Sequence, residues 1–287
     1  MTNLKPDIAP LPINGGSGDS PAQGASDVGW VRALPAAGNQ KLQMLLDHIG
    51  QDTKLHQLWR VANVNAVTRS GITDHGPEHI GIVAGHALQL LRLLVQAGIR
   101  PNIVKDYGMT VEDAEMIVVL ASCLHDIGIS VHRDNHEQYS LIMAEPEGRR
   151  LLSGVYKEPE LTTIVSEVLH AVIAHRWDVS CLTLEAGAVK VADALDITKG
   201  RSRIPFEAGS TNIHSVSAAA IDDVHIGPGD DMPICIEIRM SNSAGIFQID
   251  ELLRRKLRNS TLAPYVQVLA RIEGETEKRL VPFYSME

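Results

Sequence analysis

The stretch Met116-Ile-Val-Val-Leu-Ala-Ser-Cys-Leu124 is apolar almost throughout and ends in His125-Asp126, an imidazole and a carboxylate placed where burial should continue. Thr110 is a plausible N-cap with Asp113 three positions on, and Val111, Ala114, Val118, Ala121 and Leu124 recur at helical spacing, so the stretch reads as a core helix. His125 and Asp126 then sit on its last turn, where Gly128 can stop it. An ionised carboxylate buried there costs several kcal/mol unless a cation or hydrogen bonds compensate, and a neutral imidazole beside it is a good ligand for a divalent metal. A helix-end hydrogen bond between the two is the plainer alternative.

Other histidines fall at helix ends on either side of this pair. Gly76-Pro77 opens a helix that Gly98 and Pro101 close, with His75 just before it and His79 in its first turn, pointing inward. His86, farther along and among aliphatics, reads as a packing histidine. After the pair, His132 and His136 are four apart, which puts them on one face of a helix starting near Asp134; the alternative is a polar solvated loop. In the helix from Leu161 to about Arg176, Leu161, Val165, Val168 and Val172 form a stripe that His175 continues, whereas His170 lies with Thr163, Ser166 and Glu167 on a polar side. Period therefore favours His175 as the inward residue. Asp193 lies among Val189, Val191, Ala192, Ala194 and Leu195 and needs a partner, either a metal or Lys190 three residues away. Asp196 reads as a supporting or capping carboxylate. Arg201 and Arg203, close downstream, are candidates to clamp a phosphate, although such a run is often a solvated face.

The order His79, His125-Asp126, Asp193 resembles the HD-domain superfamily of metal-dependent phosphohydrolases, whose pattern is a His, a His-Asp pair closing a helix, and a distant Asp. The resemblance runs from about Gln40 to about Pro205. It implies a helical HD domain over residues 40–204 with His79, His125, Asp126 and Asp193 as metal ligands. Similarity to two-metal branches adds His136, with His132 as the alternative from the same region, and His175 for a second ion, the two metals being about 3.5–4 Å apart. By similarity to cyclic-nucleotide phosphodiesterases, His75 is a candidate proton donor, a helix-cap hydrogen bond being the alternative. Asp126, His75, Arg201 and Arg203 make up the expected catalytic set. His175-Arg-Trp-Asp178 lacks the Gly-Tyr-Pro extension of cyclic-di-GMP-degrading relatives, and Ile127-Gly128 stands where ppGpp hydrolases have Glu-Asp, so both substrates are disfavoured.

Residues 1–37 are rich in Pro, Gly, Ser and Asp and are expected to form a mostly disordered arm, with Trp30 to Leu34 solvated and docking as a short clip the alternative. Past Pro205 the pattern turns to strands, with Ile234 to Met240 and Tyr265 to Ile272 flanking a helix from about Gln248 to Asn259 and Leu280 to Phe283 closing the set. The expected fold class is thus α+β, an all-α bundle followed by a small α+β domain over 205–287 with an antiparallel or mixed sheet. A net charge of −9 argues against bulk nucleic-acid binding. Cys123, Cys181 and Cys235 are scattered and read as reduced, buried thiols; together with the lack of a signal or membrane segment they point to a cytoplasmic protein. Homo-oligomerisation is left open.

These readings converge on a phosphomono- or phosphodiesterase acting on a nucleotide or another small phosphorylated metabolite. It would use one or two divalent metals, chosen among Mn, Fe, Zn, Ni, Co and Mg, since imidazole and carboxylate donors do not single one out. The alternatives are an HD-type di-iron oxygenase and a non-catalytic nucleotide or effector sensor.

Overall fold

The computed structural model describes residues 28–198, 217 and 219–273, and the backbone of 283–286. Residues 1–27 of the expected arm, together with Arg201 and Arg203, lie outside the described residues. The fold is α+β: a helical bundle followed by a mixed sheet.

The bundle consists of α1 (Gly29–Ala33), α2 (Gln40–Gln51), α3 (Thr53–Asn63, continued by a π-helical turn Val64–Arg69), α4 (Pro77–Gln96), α5 (Asn102–Tyr107), α6 (Val111–Leu124), α7 (His136–Leu151), α8 (Glu160–Ala174) and α9 (Leu184–Ala194). Helix α6 is its axis. The Thr110 N–H and hydroxyl both donate to Asp113 Oδ2, so the N-terminus is capped as the sequence indicates. Every residue from Asp113 to Leu124 is buried. Helices α2, α4, α8 and α9 pack around it, and Trp59 of α3 donates from Nε1 to the Cys123 carbonyl at 2.8 Å.

Between α6 and α7 the chain makes a short 3₁₀ turn, Ile127–Ser130, which passes so close to α7 that only glycine fits at 128. A Cβ on Gly128 would overlap the backbone of His136 and Ser140. This close approach, fixed by the Gly128 N–H donating to Ser140 Oγ at 2.9 Å, carries the first turn of α7 to the end of α6.

Strands β1 (Ile221–Gly227), β2 (Ile234–Met240), β3 (Val266–Ile272) and β4 (Phe283–Met286) form one sheet in that order. The β1–β2 and β3–β4 pairs are antiparallel and β2–β3 is parallel. The parallel pair requires a crossover, and the chain makes it with a helical segment, α10, running through Ile246–Gln248, Ile249–Arg254 and Arg255–Arg258. β4 begins at Phe283, where the expected closing strand ended; residues 280–282 lie outside the described residues. The main apolar core continues from the bundle into the sheet and α10.

The expectation of a solvated stretch at Trp30 to Leu34 is corrected. Val31, Leu34 and Ala36 are buried against the bundle, and the Trp30 indole lies across Gly81 of α4 with its ring 6.0 Å from that of Trp59. The bare backbone at Gly81 provides the seat, and a Cβ there would overlap the indole. Cys123 and Cys181 are buried free thiols, while Cys235 is only partly buried. No helix among the described residues is long and apolar enough to cross a membrane.

Candidate metal centre

Five helix termini meet at one point. His79 comes from the first turn of α4, His125 and Asp126 from the end of α6, His136 from the start of α7, and His175 caps the end of α8, while Asp193 is on the last turn of α9. Histidines and carboxylates are tolerated here because each helix has just ended or begun, so their side chains converge without interrupting a packed stripe.

The carboxylate of Asp126 divides the cluster. Its Oδ2 is 3.2 Å from His125 Nε2 and 3.4 Å from His79 Nε2, and those two nitrogens are 3.3 Å apart. Asp193 Oδ1 adds to this side, 3.6 Å from His79 Nε2 and 3.9 Å from His125 Nε2. On the other side, Asp126 Oδ1 is 3.0 Å from His136 Nε2 and 3.6 Å from His175 Nε2, which are 3.4 Å from one another. Donors bound to one metal at about 2.1 Å are separated by roughly 3.0–3.4 Å in octahedral or tetrahedral arrangements, which the shorter contacts of each group match, while Asp193 and the Asp126–His175 contact stand 3.6–3.9 Å away.

The protonation pattern makes the same point. His125 Nδ1 faces the Ser122 carbonyl at 2.8 Å, His175 Nδ1 the Val172 carbonyl at 2.5 Å and His136 Nδ1 the Arg133 carbonyl at 3.0 Å. A carbonyl only accepts, so His125 and His175 carry a proton on Nδ1 and turn Nε2 inward, whereas His136 Nδ1 also meets the Arg133 guanidinium, which only donates, at 2.8 Å. His79 Nδ1 is held by Asp196 Oδ2 at 2.6 Å, the carboxylate–imidazole support typical of a metal-binding histidine. Lone pairs and carboxylate oxygens thus converge in a buried space, an arrangement that repels itself unless a cation is shared among them.

Electrostatics favour ionised carboxylates and a neutral His175 here. Burial alone would raise the Asp126 carboxyl, but the imidazoles of His125, His136 and His79 around it hold it well below the usual carboxylate range. Asp193 likewise overcomes its desolvation, chiefly through Lys256, and stays ionised. Burial and then repulsion from His125 push His175 well below the ordinary imidazole value, leaving it neutral.

The sequence-expected residues mostly arrive together. His79, His125, Asp126, His136, His175 and Asp193 converge, and Asp196 supports them from behind. His75 is buried on the wall of a cleft of about 540 Å³ that opens onto Asp126, His136, His175 and Asp193, with its Nδ1 on the Thr73 carbonyl at 2.7 Å. His132 is exposed and accepts from the Asp134 N–H, and His170 accepts from the Leu182 N–H outside the cluster. The buried Nδ1 of His86 has no hydrogen-bond partner among the described residues. Lys190, weighed as a partner for Asp193, points elsewhere, donating to the Val179 carbonyl at 2.5 Å and the Asn259 carbonyl at 3.4 Å.

The sequence reading missed Lys256. Its ammonium is bonded to Asp193 Oδ2, and Arg255 beside it also lines the cleft. Both lie near the C-terminal end of α10, beyond the second strand.

The family model described as HD domain matches residues 83–198, a span that contains His125, Asp126, His136, His175 and Asp193 and begins just after His79. Over 233 residues, 81% of this chain and 90% of the relative, the sequence is 44% identical to an uncharacterised protein of Methanocaldococcus jannaschii. The chain belongs to the HD-domain superfamily. Proteins with HD domains are generally metal-dependent hydrolases, and the donor set of this HD domain suits divalent metals. No solved structure matches the chain.

Proposed function

We propose that this HD-domain protein is a phosphohydrolase that uses two divalent metals to cleave a phosphomono- or phosphodiester of a small metabolite, with a nucleotide the favoured class. The observation that carries the proposal is the division of Asp126, one oxygen toward His79 and His125, which Asp193 also approaches, and the other toward His136 and His175. Metals held there would supply a nucleophile from water near neutral pH and Lewis acidity toward a phosphoryl oxygen.

The chain's own groups fit the remaining tasks. His75 sits on the cleft wall with its Nδ1 proton engaged by Thr73, so it would serve as an acid by carrying a second proton on Nε2 and releasing it to the departing alkoxide. Arg133 and Arg255, on the same walls, are placed to neutralise phosphate oxygens, and Arg201 and Arg203 remain candidates for the same task. A cleft of about 540 Å³ accommodates a nucleotide-sized molecule. Trp177 lines it with its side chain 55% exposed, offering a face for a base. The reduced thiols favour a cytoplasmic setting.

The test is hydrolysis of a panel of phosphomonoesters and phosphodiesters by Mn²⁺-loaded protein, alongside Asp126→Ala. The expected result is turnover of at least one nucleotide, reduced about 10³-fold or more in the variant while its circular dichroism is unchanged. Unaltered turnover in Asp126→Ala, or no hydrolysis across the panel, would overturn the proposal.

A further inference from the structure

The third cation of the run Arg254-Arg255-Lys256 behaves differently from the first two. Arg254 Nη1 is 3.2 Å from Asp250 Oδ1 and Arg255 Nη2 is 2.8 Å from Glu251 Oε2, each partner four residues back. Four residues before Lys256 stands Leu252, so the same register gives Lys256 no acidic neighbour. Its side chain instead crosses to α9, where Nζ is bonded to Asp193 Oδ2, the two side chains being only 16% and 10% exposed.

That pair is not needed to dock α10. Ile249, Leu253 and Leu257 are buried in the common core. Thr261 Oγ1 donates to the Thr183 carbonyl at 2.8 Å, and Lys190 reaches the Asn259 carbonyl from α9. A buried ion pair adds little net stability, because desolvation of both charges offsets their attraction. Its placement has a more specific consequence. Asp193 turns Oδ1 toward His79 and His125 and gives Oδ2 to Lys256, so the ammonium restricts which oxygen faces the metal side.

We propose that Lys256 is a positioning residue of the metal centre. It limits Asp193 to presenting one oxygen and offsets its charge, and its remaining N–H groups take an oxygen of the anion that enters beside Asp126. An ammonium has three N–H donors, more than Asp193 Oδ2 uses, and Lys256 lines the cleft together with Asp126, His175 and Arg255. That the anion is a phosphate rests on the phosphohydrolase reading above.

The role has a signature that a structural tether lacks. Removing the ammonium frees Asp193 and makes the centre more negative, so a cation is held as tightly as before or more tightly, while an anion is held less well. A tether would weaken both or neither.

The test uses the full chain with Lys256→Met, Lys256→Gln and Lys256→Arg, each checked by circular dichroism. Calorimetry would measure Mn²⁺ binding to chelator-treated protein, then inorganic phosphate binding to the Mn²⁺-loaded protein. Lys256→Met is expected to keep or improve Mn²⁺ affinity while phosphate affinity falls about tenfold or more, with Lys256→Arg within about threefold of the parent protein. If Lys256→Met does not fold, Lys256→Gln carries the same expectation; if neither folds, the pair is a structural tether and the proposal fails. Unchanged phosphate affinity, or Mn²⁺ and phosphate affinities falling together, overturns the role of Lys256 alone. A parent protein that binds no Mn²⁺ refutes the phosphohydrolase reading as well.

Discussion

Replacing Asp126 with asparagine removes an anionic oxygen from both donor groups at once, since Oδ2 lies 3.2 Å from His125 Nε2 and Oδ1 lies 3.0 Å from His136 Nε2. The effect can be sized through linkage. A metal supplied at about a hundred times its Kd stabilises the folded chain by about 2.7 kcal/mol. With an unfolding entropy of about 2.1 cal/mol/K per residue over 287 residues, each occupied site raises Tm by roughly 4–5 °C, and two by roughly 9 °C. In Asp126→Asn that rise should shrink to less than about 2 °C, because neither group keeps its full donor set. Differential scanning calorimetry with and without Mn²⁺ reads the rise in both proteins. A metal-dependent rise of full size in the variant would refute the shared-carboxylate arrangement.

Three further outcomes follow from the geometry. His175→Ala is expected to lower bound Mn²⁺ per chain by one, whereas His170→Ala, whose ring faces the Leu182 N–H, keeps the full complement; elemental analysis after gel filtration compares them. Asp113→Asn tests a pH dependence: desolvation opposes ionisation of Asp113, but Lys41, Tyr156 and Thr110 outweigh it and hold its carboxyl below the ordinary 3.8. Its stabilisation is therefore present above that unfolded-state value and lost as pH falls through the lower folded value, so the variant should melt below the parent near pH 7 and converge with it in strong acid. Thermal melts that stay equally far apart at both pH values would contradict this. Gly128→Ala should destabilise the chain by about 1–3 kcal/mol or more, because its Cβ meets the backbone of His136 and Ser140 rather than a movable side chain, and a urea titration with a parent-like midpoint would show the close approach to be wrong.

The run ending in His125-Asp126 was legible because burial and charge conflict within one short stretch, and helical period alone separated His175 from His170 before any coordinates. Strand β2 was equally plain from the strict alternation of Ile234 to Met240. These features depend on residues within a turn or two of each other, where backbone geometry fixes which side chains share a face. Trp30 was misjudged because its docking depends on Gly81, whose bare backbone is a seat only after α1 and α4 have been brought together. The partner of Asp193 shows the same limit. Local spacing offered Lys190, three residues away, but the fold sends that side chain to the carbonyls of Val179 and Asn259 and brings Lys256 in from a segment beyond the sheet's second strand. Sequence by itself determined the helices, the β2 strand and the kinds of donor at each helix end. Only tertiary structure decided that Asp126 divides its oxygens between two groups and that a distant ammonium shares Asp193, because those contacts are set by where helix termini meet in space and not by any period along the chain.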